Sequence, residues 1–435
     1  MLRIILISSL AAAIFACGPK PRPIPDAGEE DAGMMEVDAG RPRGDDPPNG
    51  WQVALQLPMA ALPSTKLGIS VTSTGDQFGQ PLIAALYEDP NGDLNYDDNR
   101  VVFMRWDGVA KAFTMPMTIE VVGGAAFEHP HRQISIARDT TSGRIAIAYV
   151  KPQNNSIRLA VSDDEGANFS LSTVNLTNSG TVSDPSVAST GGSTSHVAFL
   201  QGTDVVYATR TGTAAFTEQR QSGALPTSSI SLAVDGMGNP GVAWFASAGT
   251  NSADLGFWRP GSTTSTIASG AMTDLSPLDR RPSVTLTFVG TTPHVAFHLL
   301  NAIAVDATQL WYAHATDTGS TWSTPIAIPR NSSMANEFHS TQWYQALFVE
   351  SATKISVAAP WSSIGTQINC NGPKLARSTD GTSFTTCAPA GTPIQRGGDW
   401  ITMWSHKPGK ITLVFHYDNR ANPNLKPGIV MWREP

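Results

Sequence analysis

The densest group of metal-ligating side chains in the sequence is an acidic loop over residues 89–99. Oxygen-bearing residues stand at alternate positions of this loop, namely Asp89, Asn91, Asp93, Asn95 and Asp97. Ca²⁺ prefers about six to eight oxygen ligands, and such a spacing can supply several of them from one loop. The loop therefore predicts a calcium site that orders the surrounding chain. The alternative is an acidic hairpin loop that is solvated and holds no ion.

A second set of residues has the chemistry needed to bind a ligand. Arginine pairs with carboxylates through its planar fork, aromatic rings stack on sugar faces, and short polar side chains hold hydroxyl groups. The candidates are Arg132, Asp184, Arg281, His298, His339, Trp361, Arg396, Asp399 and Tyr417. They are far apart in the sequence, so only the fold can bring them together.

The elements that must position these residues recur seven times. Each unit has a short β-rich stretch, a turn, a second apolar stretch that usually ends in an aromatic residue, and a third stretch that runs into a polar turn. The second stretches are residues 81–87, 145–149, 196–199, 241–244, 294–297, 355–358 and 411–415. A period of roughly 50 residues is typical of propeller blades.

The repeats predict an all-β fold, a seven-bladed β-propeller of four-stranded antiparallel blades, with six blades as the alternative. The last unit reaches the C-terminus without a fourth strand. Residues 51–57 alternate with period two, so we expect them to pair onto the last blade as its outer strand and close the ring. The units are 64–123, 130–180, 182–221, 226–270, 280–330, 338–392, and 397–435 with 50–62.

This architecture predicts where a ligand would bind. The loops that enter the first strands and the loops that join second to third strands share one face around the central channel. Ligands favour such concave places, and long loops on a rigid scaffold commonly carry binding residues. The candidate binding residues all fall in these two sets of loops.

Three turns after third strands carry a family resemblance. The turn at 162–169 fits the pattern Ser/Thr-x-Asp-x-Gly-x-x-Trp/Phe, the turn at 315–322 has alanine at the first position, and the turn at 378–384 is one residue short. The chain thus resembles the Asp-box (BNR-repeat, sialidase-like) propeller superfamily. The resemblance implies that these boxes are structural and lie opposite the active site. Their residues are Ser162, Asp164, Gly166, Phe169, Asp317, Gly319, Trp322, Ser378, Asp380 and Phe384.

The same resemblance implies two functions. Sialidase-like enzymes clamp a carboxylate with three arginines, for which Arg132, Arg281 and Arg396 could be recruited, and use a tyrosine–glutamate pair as nucleophile. The Arg-Ile-Pro signature of the family is missing, and Arg281-Pro282 is only a fragment of it. No catalytic residue is therefore assigned. A non-catalytic propeller that recognises a glycan or protein is favoured, and a divergent sialidase-like hydrolase is the alternative.

The N-terminal part predicts export and anchoring. Residues 1–16 have a basic start and an apolar run too short to span a bilayer, as in a signal peptide. The segment 14–17 resembles a bacterial lipobox, which implies that Cys17 is lipidated; the alternative is an ordinary signal peptide with a chance cysteine. Residues 17–49 are rich in Pro, Gly and Asp and predict a disordered tether before a propeller at 50–435. The expected location is the bacterial cell envelope, with the outer membrane as the expected membrane.

The composition of the chain restricts the classes of molecule that it can bind. The net charge of −7 and the absence of basic clusters argue against nucleic-acid binding, because phosphate contacts need Lys and Arg. The expected state is a monomer. Cys370 and Cys387 form an even pair in an exported protein, which predicts a disulfide, with two separate thiols as the alternative.

Overall fold

The structure is a computed structural model of the 435-residue chain. It describes residues 44–56, 69–87, 96–123, 132–174, 180–226, 228–249, 252–273, 282–301, 309–329, 337–339, 345–363, 373–387, 401–417 and 428–435. By contacts between Cα atoms the chain divides into residues 1–42 and residues 43–435, and the second unit is the one described below.

The described residues form β-strands and two single-turn 3-10 helices, Tyr96–Asp98 and Pro152–Asn154. The first fourteen strands are β1 (Gly50–Gln56), β2 (Ile69–Gly75), β3 (Pro81–Tyr87), β4 (Arg100–Asp107), β5 (Ala112–Phe113), β6 (Met117–Val121), β7 (Ile134–Arg138), β8 (Ile145–Lys151), β9 (Ser156–Ser162), β10 (Ser170–Thr173), β11 (Val182–Thr190), β12 (Thr194–Gln201), β13 (Asp204–Thr211) and β14 (Thr217–Ser222). The other sixteen are β15 (Ile230–Val234), β16 (Pro240–Gly249), β17 (Ser252–Trp258), β18 (Thr264–Thr273), β19 (Val284–Val289), β20 (Thr292–Asn301), β21 (Gln309–His314), β22 (Ile326–Ala327), β23 (Glu337–His339), β24 (Ala346–Val349), β25 (Ile355–Ser363), β26 (Pro373–Ser378), β27 (Thr385–Cys387), β28 (Ile401–Lys407), β29 (Lys410–Tyr417) and β30 (Gly428–Arg433).

These strands make a seven-bladed propeller of four-stranded antiparallel blades, which confirms the predicted fold. In chain order the blades are β2-β3-β4-β6, β7 to β10, β11 to β14, β15 to β18, β19 to β22, β24 to β27, and β28-β29-β30-β1. The short strands β5 and β23 extend blades 1 and 6. A two-residue parallel pairing of β18 with β20 also joins blades 4 and 5.

The ring closes through its N-terminal strand, as predicted. Strand β1 pairs antiparallel with β30, with Gly50 opposite Arg433 and Gln56 opposite Gly428. The last blade therefore contains both ends of the folded chain. Such pairing covers the outer edge of β30 and makes β1 the fourth, outermost strand of the last blade.

Hydroxyl side chains of the innermost strands join successive blades. The Ser70 hydroxyl accepts the backbone N–H of Gln133 in the next blade, and the Ser135 hydroxyl accepts that of Val187, both at 3.2 Å. The position of Ser135 recurs in six blades as Thr72, Ser135, Ser186, Ser231, Thr285 and Thr402, here called the hydroxyl ring. The alternate residues of these strands are apolar and fill the cores between blades. Each first strand thus supplies both polar and apolar contacts to its neighbours.

The chain before β1 contacts the propeller as well. Asp46 forms ion pairs with Arg433 at 3.2 Å and with Lys407 at 3.7 Å, and Arg433 is only 2% exposed. Asp45 lies beside the third-to-fourth-strand turn of blade 1, where its N–H donates to the carbonyl of Gly108 at 2.9 Å. Residues 44–46, within the segment that the sequence assigned to the tether, therefore lie against the face formed by the first-to-second and third-to-fourth turns. This face is called the turn face, and the opposite one the funnel face.

Candidate functional site at the channel mouth

The structure describes the side chains of three predicted binding residues. Arg132 and Asp184 lie at the inner ends of blades 2 and 3, and His298 lies near the funnel-face end of the second strand of blade 5. For His339, Trp361 and Tyr417 the described part is the backbone, which places His339 of β23 opposite Trp361 of β25. Arg281, Arg396 and Asp399 lie outside the described residues.

Polar residues line the mouth of the channel at equivalent points of five successive blades. Four of them stand directly before an innermost strand, and Asp184 is the third residue of β11, so all lie where the chain arrives from the funnel face. They are Gln133, Asp184, Ser229, Ser283 and Gln345, here called the mouth ring. All five are at least nine-tenths buried. The sequence prediction included only Asp184. The signal that it missed, present in four of the five, is a polar residue followed by an apolar–hydroxyl pair, as in Gln133-Ile134-Ser135.

Arg132 and Asp184 connect three blades at this mouth. The backbone N–H of Arg132 donates to Oδ1 of Asp184 at 3.0 Å, and the Arg132 guanidinium donates to the carbonyl of Ile230 in blade 4. Asp184 is fully buried at a β-bulge and has φ +52°, in the left-handed region that few residues other than glycine adopt. Strained positions of this kind cluster at binding and active sites.

A second polar cluster lies between blades 5 and 6. The Ser283 hydroxyl donates to Oε1 of Gln345 at 2.5 Å, and Nδ1 of His298 lies 3.1 Å from the same hydroxyl oxygen. Burial lowers the pKa of His298 to about 4, so the ring is neutral at pH 7. The serine proton is directed at the amide, and neither Ser283 nor His298 is exposed. This cluster therefore joins two blades and is not arranged as a nucleophile with its base.

One tyrosine–glutamate pair lies at the junction of blades 1 and 2. The Tyr149 hydroxyl donates to the Glu120 carboxylate, which also accepts from Lys151 at 2.7 Å and Arg158 at 3.1 Å. Tyr149 is 0% exposed, and burial followed by the Glu120 contact raises its phenol pKa well above the usual 10. A nucleophile must reach its substrate and lose its proton easily. This pair does neither, so we assign it to holding the two blades together.

The three Asp-box-like turns all lie on the turn face. In each, one carboxylate oxygen accepts backbone N–H groups of its own turn: Asp317 Oδ1 accepts those of Gly319 and Ser320 at 2.8 Å. The Asn168 side chain, with its backbone N–H, lowers the pKa of Asp164 to about 2. Hydrogen bonds from Ser320 and Ser383 lower the pKa values of Asp317 and Asp380. These carboxylates are engaged inside their turns.

All three turns also dock on the preceding blade, and Phe384 of the third turn packs against Tyr312 with ring centroids 5.6 Å apart. Phe169 packs edge-on against Phe103 with ring centroids 5.3 Å apart, and Trp322 packs against Phe257 at 5.4 Å. An arginine two residues after Phe103 or Phe257 reaches the turn: Arg259 Nε donates to the Thr318 carbonyl at 2.8 Å. Phe-x-Arg at the end of the third strand is the sequence signal for this contact.

Several predicted sites are not covered by the described chain. Of the predicted calcium loop, Asp97 is exposed in the 3-10 helix Tyr96–Asp98, and the other four residues lie outside the described residues. Cys17 and Cys370 lie outside them as well, and for Cys387 only the backbone is described. Within the described part, no group of three or more His, Cys, Asp or Glu side chains is placed to hold a metal ion. No described helix is long and apolar enough to cross a membrane.

Comparison with known proteins finds similarity of fold alone. No protein-family model and no curated protein sequence matches the chain. Among solved structures, the BP39L lectin of Burkholderia pseudomallei matches with a TM-score of 0.52 and 12% identity, covering 82% of this chain and 94% of the lectin. An ulvan lyase of polysaccharide lyase family PL25 matches at 0.48 with 12% identity, covering 90% and 95%. A fucose-specific lectin from Aleuria aurantia matches at 0.44 with 15% identity, covering 75% and 97%. At such low identity the match to BP39L shows that the two chains share the β-propeller fold.

Proposed function

We propose that this protein is a lipid-anchored binding propeller that recognises a glycan at the bacterial cell envelope through its funnel face. The observation that carries the proposal is the group of Arg132, Gln133 and Asp184 at the inner ends of blades 2 and 3, where Arg132 keeps part of its surface exposed. Sugar hydroxyls both donate and accept hydrogen bonds; arginine can donate to them, an ionised aspartate can accept from them, and glutamine can do both. The fold similarity to BP39L, itself a lectin, supports this class of ligand.

Binding is favoured over hydrolysis by what the described residues do. The Tyr149–Glu120 pair is buried, and the Ser283–His298–Gln345 cluster bonds to itself. The Arg132 guanidinium already donates to the carbonyl of Ile230. A protein ligand is the alternative to a glycan, because a polar funnel face also suits a peptide loop. The experiment below distinguishes the two.

Glycan binding is tested with the full chain purified in detergent. We expect at least one neutral or acidic oligosaccharide on an array to be retained, and calorimetry with that oligosaccharide to give a dissociation constant. Binding should weaken in a chelator, because the calcium proposed for the 89–97 loop orders the funnel face. A fluorogenic sialoside is assayed in parallel. Sialoside turnover without array binding would favour the hydrolase, whereas a negative result in both assays would contradict glycan recognition and favour an envelope protein as the ligand.

The lipid anchor has its own test. Cells that express the chain are fed an alkyne-labelled fatty acid, and the protein is partitioned between detergent and aqueous phases. The wild type should carry label and enter the detergent phase, because acyl chains contribute about 0.8 kcal/mol per buried methylene. Cys17→Ser should lose both properties, and Cys387→Ser should keep them. Label that persists in Cys17→Ser would contradict the lipobox assignment.

A further inference from the structure

Two glutamines of the mouth ring occupy equivalent positions but use their side-chain amides differently. Gln133 directly precedes β7 in blade 2, and Gln345 directly precedes β24 in blade 6. The Gln345 amide is fully engaged: its Nε2 donates to the carbonyl of Ala296 at 2.7 Å and to that of Ser283 at 3.1 Å, and its Oε1 accepts from the Ser283 hydroxyl. Gln345 is therefore a structural joint between blades 5 and 6.

The Gln133 amide has no such role among the residues that the structure describes. Its backbone is fixed, since its N–H donates to the Ser70 hydroxyl at 3.2 Å and its carbonyl accepts from Val150 at 3.0 Å. The residue is 8% exposed, and its Oε1 is buried without a hydrogen-bond partner in the described chain. Leaving a buried polar atom unbonded costs about 1–3 kcal/mol, and most such atoms in folded proteins are satisfied. The unbonded Oε1 of Gln133 at the channel mouth therefore indicates a hydrogen-bond partner from outside the chain.

The surroundings of Gln133 define the chemistry of that partner. Arg132, its neighbour in sequence, bridges to blades 3 and 4 and keeps part of its surface exposed. A rotation of the amide exchanges an acceptor for a donor without a change of shape. A hydroxyl group satisfies either orientation, because it both donates and accepts. A hydroxyl-bearing ligand fits this point better than an apolar group or a cation.

We propose that Gln133 is a specificity-determining residue that binds a hydroxyl of one sugar unit at the channel mouth, beside Arg132 and Asp184. This proposal rests on the glycan-binding function proposed above. It assigns the binding contact to blades 2 to 4 and a purely structural role to the equivalent glutamine of blade 6.

The test compares Gln133→Met with Gln345→Met in the full chain. Methionine keeps the length of glutamine and removes its hydrogen bonds. Gln133→Met should have the thermal midpoint of the wild type or a higher one, because it removes an unbonded polar atom from a buried place. Gln345→Met should melt lower, because it leaves the Ser283 hydroxyl and two carbonyls without their amide. Affinity for the oligosaccharide selected on the array should fall about tenfold or more in Gln133→Met, which corresponds to losing one well-formed contact.

Three outcomes would overturn the inference, and each is distinct. If the wild type retains no glycan, the proposed function fails and the inference fails with it. If the wild type binds and Gln133→Met binds equally well, the glycan-binding function stands and the role of Gln133 is wrong. If Gln133→Met melts as low as Gln345→Met, the amide is held within the fold and is not reserved for a ligand.

Discussion

Replacing Gly319 with alanine is expected to destabilise the propeller by about 3–5 kcal/mol, a large effect for the addition of one methyl group. Two causes combine. Gly319 has φ +119°, a backbone conformation that alanine rarely adopts. A Cβ at this position would also lie 2.2 Å from Cε1 of Phe257 in the preceding blade, closer than atoms can approach. The turn would have to leave Phe257 and the junction of blades 4 and 5.

Gly290→Ala is the matched control. Gly290 lies in the same blade at φ +60°, and no atom of the described chain lies within 4 Å of the position its Cβ would take. It should therefore cost only the backbone contribution, about 1–2 kcal/mol. The free energy of unfolding is measured by urea titration for both variants. Adding Phe257→Leu to Gly319→Ala should recover part of the loss, because the smaller side chain makes room. Equal losses in the two alanine variants would show that the close approach to Phe257 does not matter.

Stability is expected to fall steeply as the pH drops from 7 to 4. Burial lowers the pKa values of His196, His294, His298 and His406 to about 4, against 6.5 for an exposed histidine. Between pH 6.5 and 4 the unfolded chain therefore binds more protons than the folded chain. The stabilisation is present in full above pH 6.5 and is lost as the pH falls toward 4. Each histidine contributes about 1–2 kcal/mol to the change between pH 7 and pH 5, so the sum is several kcal/mol.

Burial is the main cause that lowers the pKa values of these histidines and keeps their rings neutral. Nδ1 of His196 lies 2.6 Å from the Tyr207 hydroxyl, and Nδ1 of His294 lies 2.6 Å from that of Tyr312, so the same histidine–tyrosine pair recurs in blades 3 and 5. His314 lies beside His294 and disfavours its charge further, as Arg433 and Lys407 do for His406.

The pH dependence is measured as the urea midpoint of unfolding from pH 7.5 to pH 4.5. The control is His298→Gln, which is expected to lower stability at pH 7 but to reduce the slope of stability against pH. The double variant with His196→Gln should reduce the slope further. A slope that is the same in the wild type and both variants would show that other groups control acid unfolding.

The carboxylates of the Asp-box-like turns also make the propeller less stable as the pH falls, but at lower pH than the histidines. Their pKa values are lowered in the folded chain, so the stabilisation they give is lost as the pH falls below about 4. Acid unfolding should therefore begin with the histidines and continue with the aspartates.

The sequence alone determined the architecture. Its seven apolar stretches and the alternating segment at 51–57 predicted seven blades and the closing strand, because strand periodicity and repeat length are local properties of the chain. It also located the turns around Asp164, Asp317 and Asp380, since each turn bonds within a few residues of itself.

Only the tertiary structure decided which polar side chains have partners inside the fold. Gln133 and Gln345 occupy similar positions in the sequence. The side-chain oxygen of Gln133 is buried without a hydrogen-bond partner in the described chain, whereas the Gln345 amide makes all its hydrogen bonds. The difference arises because the neighbours of the two side chains come from different blades. Tyr149 and Glu120 likewise meet across a blade junction that no spacing reveals. The reason is physical: contacts between blades join residues tens of positions apart, so their geometry depends on how the blades pack and not on any local pattern.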